Sequence, residues 1–214
     1  MKHSEPFVIT ITRMLGSGGA DIGKKLATEL NILYLDREIV SEAAKELYAL
    51  EEDVAELDER PTSIWQSIFE ASAVINETVH IAPRFFVPTD RLVFDSESEI
   101  IERTAKERSA VVIGRCGSHV LRNHPRHISI FLNGELAFRR NHVEKLYSLN
   151  AKDAIKMVEK SDKIGSNYHK QFTGHELFDL RQYTICLDTS KIGIHECADI
   201  ILKYAEQKFG VVEV

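Results

Sequence analysis

Hydrophobic residues along the chain alternate between short, nearly continuous runs and stretches with a helical period. The short runs are rich in β-branched residues, as is typical of buried strands in a parallel sheet. They cover residues 7–12, 32–35, 110–113, 128–132 and 183–187. Between the runs, apolar residues recur three or four positions apart, which indicates amphipathic helices. This order predicts an α/β protein built on a five-stranded parallel sheet.

The first run ends at a glycine-rich loop, GSGG at residues 16–19, and an amphipathic helix follows the loop. Glycine allows positive φ and lets backbone N–H groups approach a ligand closely. The first turn of a helix leaves its N–H groups unbonded at the positive end of the helix dipole, which suits phosphate. The segment therefore predicts a phosphate site formed by Gly16, Ser17, Gly18, Gly19, Ala20 and Asp21. The alternative is a glycine turn that binds no ligand.

The phosphate-loop motif G-x-x-x-x-G-K-[ST] can be placed on this segment in two registers. One register runs from Gly18 to Lys24, but it puts Ile22 inside a polar loop and destroys the apolar face of the helix. The other register begins at Arg13, directly after the strand, and is the one we adopt. In this register Gly19 occupies the position of the phosphate-binding lysine and Arg13 that of the first glycine. The segment therefore has the order of strand, glycine loop and helix that the motif requires, but it lacks the lysine that usually binds phosphate.

Several segments of the chain resemble the cytidylate kinase-like family, a branch of the P-loop nucleoside monophosphate kinases. The segments are ITITRMLGSGGADIGKKLATELNILYLD, VVIGRCGSHVLRNHP, FLNGELAFRR and KSDKIGSNYHKQFTG, and together they span nearly the whole chain. The resemblance implies a three-layer P-loop NTPase fold with a helical insertion and a lid. It also implies ATP with Mg²⁺ as the phosphoryl donor and a nucleoside monophosphate or a similar small molecule as the acceptor.

The spacing of the strands predicts where the insertion lies within a single domain of 214 residues. Residues 38–107 separate two sheet strands, and this stretch is too long for one crossover helix. A helical insertion fits the stretch, and the resemblance implies that the insertion binds the acceptor.

A second helical stretch, residues 139–175, carries basic residues at both ends of a predicted hairpin. They are Arg139, Arg140, Lys160 and Lys163, with Asp162 between the two lysines. The resemblance implies a lid whose loose cationic groups close over the transferred phosphoryl group, since phosphoryl transfer depends mainly on positioning and charge neutralisation. The alternative for any one of these residues is a solvated helix face.

The carboxyl ends of two other predicted strands supply candidates for the acceptor site, because ligands of open α/β sheets bind at those ends. Asp36 and Arg37 follow the second strand, and Arg115 follows the third. The resemblance implies that Asp36 contacts the acceptor, and the fork of Arg115 suits a phosphate. The alternatives are a surface turn at Asp36 and Arg37 and a structural ion pair at Arg115. Cytidylate kinases have an aspartate where this chain has Cys116, so the resemblance does not extend to that contact with cytosine.

Composition and charge argue against several classes of protein, namely those that bind nucleic acid, cross a membrane, are secreted or hold a metal. The net charge of −6 argues against nucleic acid as a partner. No apolar run approaches the length of a membrane span, and the first five residues do not resemble a secretory leader. The three cysteines lack CxxC spacing and suit reduced thiols of the cytoplasm. The nine histidines show no pair at the spacing of a helical metal site, so no protein-held metal is predicted.

Two functions follow from this pattern. The first is an ATP-dependent phosphotransferase in which Arg13 supplies the charge missing at Gly19 and Asp21 holds Mg²⁺ through water. The alternatives are that Arg13 is a surface residue at a turn and that Asp21 caps the helix. The second is a non-catalytic nucleotide-binding or regulatory relative, which the loss of the lysine at Gly19 favours, because that charge stabilises the transition state. For the first function the catalytic candidates are Arg13, Arg139, Arg140, Lys160, Asp162 and Lys163.

Overall fold

The computed structural model describes residues 5–36, 39–40 and 91–210. Most of the insertion predicted for residues 38–107 lies outside the described residues, as does the candidate acceptor residue Arg37. The described part includes the glycine loop, the strands of the sheet and the predicted lid.

Five parallel strands form the sheet in the described part of the chain. They are β1 (Val8–Arg13), β2 (Leu33–Leu35), β3 (Ala110–Ile113), β4 (His127–Asn133) and β5 (Ile185–Asp188). The strand order is β2-β3-β1-β4-β5, and each neighbouring pair is parallel. The strands predicted from the hydrophobic runs are thereby confirmed, with ends that differ by one or two residues. The order brings the carboxyl ends of β1 and β3 side by side.

Helices cover both faces of the sheet. In chain order they are α1 (Gly19–Glu29), α2 (Arg91–Glu107), α3 (Gly117–Val120), α4 (Leu136–Tyr147), α5 (Ala151–Thr173), α6 (Thr189–Ile192) and α7 (Ile194–Phe209). Ile9 and Ile11 of β1 pack with α1 and α7 on one face, whereas Val8 packs with α2 on the other. This alternation of side chains along β1 produces the three predicted layers. None of the described helices combines the length and the apolar character that a membrane crossing requires.

Helix α2 begins earlier than the sequence pattern predicted. The basic and aromatic residues at 84–91 predict a loop and the apolar positions after Glu97 predict a helix, but the helix already includes Arg91. An ion pair from Arg91 to Asp95, 3.1 Å long, supports the added turn. Phe94 is buried there and stacks on Phe172 of α5, with 4.5 Å between ring centroids. A contact distant in sequence therefore extends the helix.

His127, the first residue of β4, is a half-buried histidine whose neutral form the fold favours. Its Nε2 lies 2.8 Å from the hydroxyl of Thr10 on the neighbouring strand. Burial, and to a lesser extent the nearby charge of His124, lowers the pKa of His127 to about 4. In the unfolded chain this imidazole titrates near its ordinary pKa of about 6.5. Between these two values the unfolded state binds a proton that the folded state does not, so stability falls as the pH falls.

We therefore expect the free energy of unfolding to decrease between pH 7 and pH 4.5, and His127→Gln to reduce that decrease by about 2 kcal/mol. Urea unfolding at both pH values measures the difference. His195→Gln, at an exposed histidine of α7, is the control for the substitution of a histidine by glutamine. Parallel pH dependence in wild type and His127→Gln would contradict the assignment.

Candidate functional site

A cavity of about 260 Å³ lies at the carboxyl ends of β1 and β3. The glycine loop forms one wall, the segment after β3 forms another, and helices α4 and α5 cover the cavity. Of the predicted site residues, the cavity lining includes Arg13, Gly16, Gly18, Gly19, Ala20, Asp21, Arg115 and Asp162. Residues from the glycine loop, the third strand end and the predicted lid therefore meet at one place. This convergence identifies the cavity as the candidate active site.

The glycine loop presents unbonded N–H groups to the cavity. Within the described part of the chain, the N–H groups of Gly18, Gly19 and Ala20 donate to no protein acceptor. Gly18 has a φ of 77° and precedes the first turn of α1. A Cβ at Gly18 would lie 2.6 Å from the side chain of Ile194, so the loop also requires glycine for space. Unbonded N–H groups at the beginning of an 11-residue helix suit an anion.

Ser17, a predicted member of the phosphate site, has an internal role in the loop. Its side chain is buried, and it is absent from the cavity lining. Its hydroxyl donates to the carbonyl of Met14 over 2.7 Å, and its N–H donates to the same oxygen over 3.2 Å. Ser17 therefore closes the turn that carries the glycines.

The aliphatic part of the Arg13 side chain packs against Gly19. A Cβ placed on Gly19 would be 2.7 Å from Cγ of Arg13 and 2.9 Å from its Cβ. Farther along the same side chain, Nη1 of Arg13 would be 2.6 Å from a Cβ on Gly114, the residue that follows β3. The exposed arginine thus extends over the first turn of α1 toward the end of the third strand. Its stem fills the space that a side chain at position 19 would need.

Helix α4 holds the outer side of the glycine loop. Arg139 donates from Nη1 to the carbonyl of Leu15 over 3.3 Å, and from Nε to the carbonyl of Gly134 over 2.9 Å. One turn later, Nδ1 of His142 lies 3.1 Å from the carbonyl of Gly16. His142 also lines the cavity, and our sequence reasoning missed it because it treated the histidines as surface or core residues. Because His142 follows the predicted site residue Arg139 by three positions, the two share a helix face, and this spacing could have placed His142 at the site.

The basic residues of the predicted lid are arranged differently from the loose groups that we expected. Arg139 is 4% exposed, and Nη1 lies 3.0 Å from both carboxylate oxygens of Asp162 on α5. Burial raises the pKa of Asp162, although the neighbouring Arg139 opposes that rise. The cavity lining does not include Arg140, Lys160 or Lys163, and Arg140 pairs with Glu144 over 3.1 Å. A catalytic role for these three cations stays a prediction that requires movement of the hairpin.

The segment after β3 turns through three consecutive residues with positive φ, namely Gly114 at 76°, Arg115 at 51° and Cys116 at 53°. This conformation is unfavourable for the two residues that have side chains. It directs the buried guanidinium of Arg115 to the buried carboxylate of Glu97 on α2, and places it 5.0 Å from the centre of the Tyr168 ring on α5. The ion-pair alternative for Arg115 is therefore present in the fold, and its contact with an acceptor stays a prediction.

A chain of polar groups continues from Cys116. Its Sγ lies 3.9 Å from Nδ1 of His169, and Nε2 of His169 lies 3.2 Å from the side-chain oxygen of Gln182. Because an amide oxygen only accepts hydrogen bonds, Nε2 of His169 carries the proton and Nδ1 faces the thiol as an acceptor. Burial raises the pKa of Cys116 to about 12 and lowers that of His169. Both groups are therefore neutral, and Cys116 is a small buried residue.

Asp36 caps the beginning of a helix that includes Ile39 and Val40. Its Oδ1 accepts a hydrogen bond from the N–H of Ile39 over 3.2 Å, and its carbonyl accepts one from Val40. The cavity lining does not include Asp36. Its proposed contact with the acceptor is untested, and its neighbour Arg37 lies outside the described residues.

Comparison with known proteins identifies the family. A model of the cytidylate kinase-like family matches residues 8–191. The chain belongs to the cytidylate kinase-like family. The match includes the glycine loop, the segment after β3 and both helices that cover the cavity. No curated protein matches the chain.

Solved structures agree on the fold. An uncharacterized protein from Eubacterium ventriosum ATCC 27560 is 25% identical, with a TM-score of 0.70 over 94% of this chain and 98% of that one. A gluconokinase from Sinorhizobium meliloti 1021 is 14% identical, with a TM-score of 0.50 over 96% of this chain and 97% of that one. This cytidylate kinase-like protein has the P-loop NTPase fold that its sequence predicted.

The buried pair between Arg115 and Glu97 generates a stability prediction. Glu97→Gln removes the charge that offsets the buried guanidinium, so we expect a loss of about 3 kcal/mol in the free energy of unfolding. Denaturant unfolding measures the loss. Glu99, which is exposed on the same helix, supplies the control, and Glu99→Gln should change stability by less than about 0.5 kcal/mol. Equal stabilities for the two variants would exclude a structural role for the pair.

Proposed function

We propose that this cytidylate kinase-like protein transfers a phosphoryl group from ATP to a nucleoside monophosphate or a similar small acceptor. The observation that carries the proposal is the position of Arg13 across Gly19. A phosphotransferase needs positive charge close to the donor phosphates. Arg13 supplies a permanent charge from the end of β1, beside the position where P-loop kinases have a lysine.

The loop and Arg13 together fit the phosphates of ATP. The unbonded N–H groups of Gly18, Gly19 and Ala20 offer hydrogen bonds to phosphate oxygens from one side. The guanidinium of Arg13 offers a second set of donors within the same cavity. Arginine also holds a phosphate in a bidentate geometry that lysine does not provide. The replacement of the lysine therefore changes the source of the charge and preserves its sign.

Asp21 is the residue that suits Mg²⁺. Its carboxylate belongs to the first turn of α1, lines the cavity and is 43% exposed. Mg²⁺ in phosphate-binding sites commonly uses one or two carboxylates together with water and phosphate oxygens. When bound there, the ion neutralises charge on the donor phosphates. Among the described residues, no group of three or more histidine, cysteine or acidic side chains is arranged to hold a metal by itself.

The acceptor and the lid complete the proposal. The acceptor lies on the side of the cavity formed by Arg115 and Asp162, with residues 38–107 as its binding insertion in a single domain. Residues 139–175 act as a lid that opens for substrates and closes for transfer, which brings Arg140, Lys160 and Lys163 toward the phosphates. The ion pair between Arg139 and Asp162 joins α4 to α5, which supports movement of the hairpin as one unit.

Substitution of Arg13 tests the source of the charge. Arg13→Ala should weaken ATP binding about 10-fold to 100-fold, because a hydrogen bond to a charged group contributes about 1.5–3 kcal/mol. A double variant, Arg13→Ala with Gly19→Lys, should recover part of the affinity, since removal of the arginine stem makes room for the lysine. Calorimetric titration with MgATP and an ADP-release assay with a panel of nucleoside monophosphates measure both effects. Lys24→Ala is the control, because Lys24 belongs to α1 and lies outside the cavity lining.

Each result of this experiment identifies one interpretation. Weaker ATP binding and slower ADP release in Arg13→Ala support the phosphotransferase. ATP binding without acceptor-dependent ADP release in wild type identifies a non-catalytic relative. Unchanged ATP binding in Arg13→Ala shows that the arginine is only a surface group at a turn.

The lid makes a separate prediction. A bisubstrate nucleotide analogue should slow amide hydrogen exchange in residues 139–175, because closure restricts the hairpin. Mass spectrometry of exchanged peptides, with and without the analogue, measures the change. Peptides from α7 provide the internal control. Indistinguishable exchange in the hairpin would argue against a moving lid.

A further inference from the structure

Helix α4 contacts two successive carbonyl groups of the glycine loop. Arg139 binds the carbonyl of Leu15, and His142 binds that of Gly16. We infer that His142 is a positioning residue, which holds the Gly16 peptide so that the loop directs its N–H groups, and not a carbonyl oxygen, toward the donor phosphates. This inference rests on the proposed binding of ATP.

The contact with Gly16 determines how His142 carries its proton. A carbonyl oxygen only accepts hydrogen bonds, so Nδ1 of His142 must be the donor over the 3.1 Å that separate them. The other ring nitrogen, Nε2, faces the carboxylate of Asp21 at 3.5 Å. The ring thus extends from the middle of the loop to the first turn of α1. The side chain of His142 therefore contacts both the glycine loop and the first turn of α1.

Gly16 is the place where the loop needs such a contact. It has a φ of 83°, and glycine changes its backbone conformation more readily than other residues. The peptide unit is planar, so rotation of the Gly16 carbonyl also rotates the N–H of Ser17. That N–H donates to the carbonyl of Met14 and closes the turn. Rotation would open the turn and present a partial negative charge to the phosphates.

The two contacts come from the same helix face, because Arg139 and His142 are three residues apart on α4. The backbone of Arg139 also lies so close to Gly16 that a Cβ there would collide with it. Helix α4 is the first helix of the proposed lid. A displacement of α4 would release both carbonyls, so the affinity for the donor depends on the position of this helix.

Three substitutions of His142 separate its two nitrogens. Asparagine carries an amide N–H at the same side-chain position as Nδ1, whereas glutamine carries one near the position of Nε2. Alanine removes both donors. The inference predicts that His142→Asn keeps the loop in place and that His142→Gln and His142→Ala release it. The control is His195→Ala, because His195 is exposed on α7 and contacts Lys25 and Asp199.

The first measurement uses the ligand-free protein. Amide hydrogen exchange in residues 14–19 should become about fivefold faster in His142→Ala and His142→Gln, as expected for the loss of one hydrogen bond of about 1 kcal/mol. The exchange in His142→Asn should stay within about twofold of wild type. Equal exchange in all variants would overturn the inference, whether or not the protein binds ATP.

The second measurement is the dissociation constant for MgATP. His142→Ala and His142→Gln should bind about fivefold more weakly than wild type, and His142→Asn within about twofold. Thermal unfolding of each variant separates this effect from a general loss of packing, which would lower ATP affinity in step with stability. Undetectable ATP binding in wild type would overturn the proposed function, and the exchange measurement would still decide the role of His142.

Discussion

The contact of Arg13 with Gly19 is the constraint on which the candidate site depends. Arg13 crosses the first turn of α1 because position 19 has no side chain, and a Cβ there would lie 2.7 Å from Cγ of the arginine. The guanidinium then passes beside Gly114, which also lacks a side chain. The two glycines and the arginine form one packing unit. In this unit the positive charge lies beside the glycine loop and comes from the end of a strand and not from the helix.

The glycine loop is held from outside as well as from within. Ser17 closes the turn internally through the carbonyl of Met14, and α4 holds the carbonyls of Leu15 and Gly16. These contacts occupy the acceptors of the loop and leave N–H groups toward the cavity. A loop with flexible glycines can bind an anion strongly only if its peptides are already oriented, because ordering them at the moment of binding would cost conformational entropy.

Positive charge is distributed unequally around the cavity. Arg13 is exposed beside the glycine loop, whereas Arg115 is buried with Glu97 and lies near the ring of Tyr168. Arg139 is similarly buried with Asp162. Each pair joins two elements that are consecutive in the chain, namely α2 with the end of β3 and α4 with α5. The charges of Arg115 and Arg139 are therefore offset by carboxylates, whereas Arg13 is exposed beside the glycine loop.

The sequence by itself determined the strands, the glycine loop, the amphipathic helix after it and the family. Those features depend on the period of hydrophobic residues and on glycines, which act over a few neighbouring positions. It also showed that the lysine is missing at Gly19. Only the tertiary structure decided that Arg13 lies across Gly19, that Arg115 pairs with Glu97 and that His142 holds Gly16. Arg115 and His142 contact residues of other segments, and Arg13 folds back over the helix that follows its own strand. These contacts depend on how the strands and helices pack together, which the period of hydrophobic residues does not record.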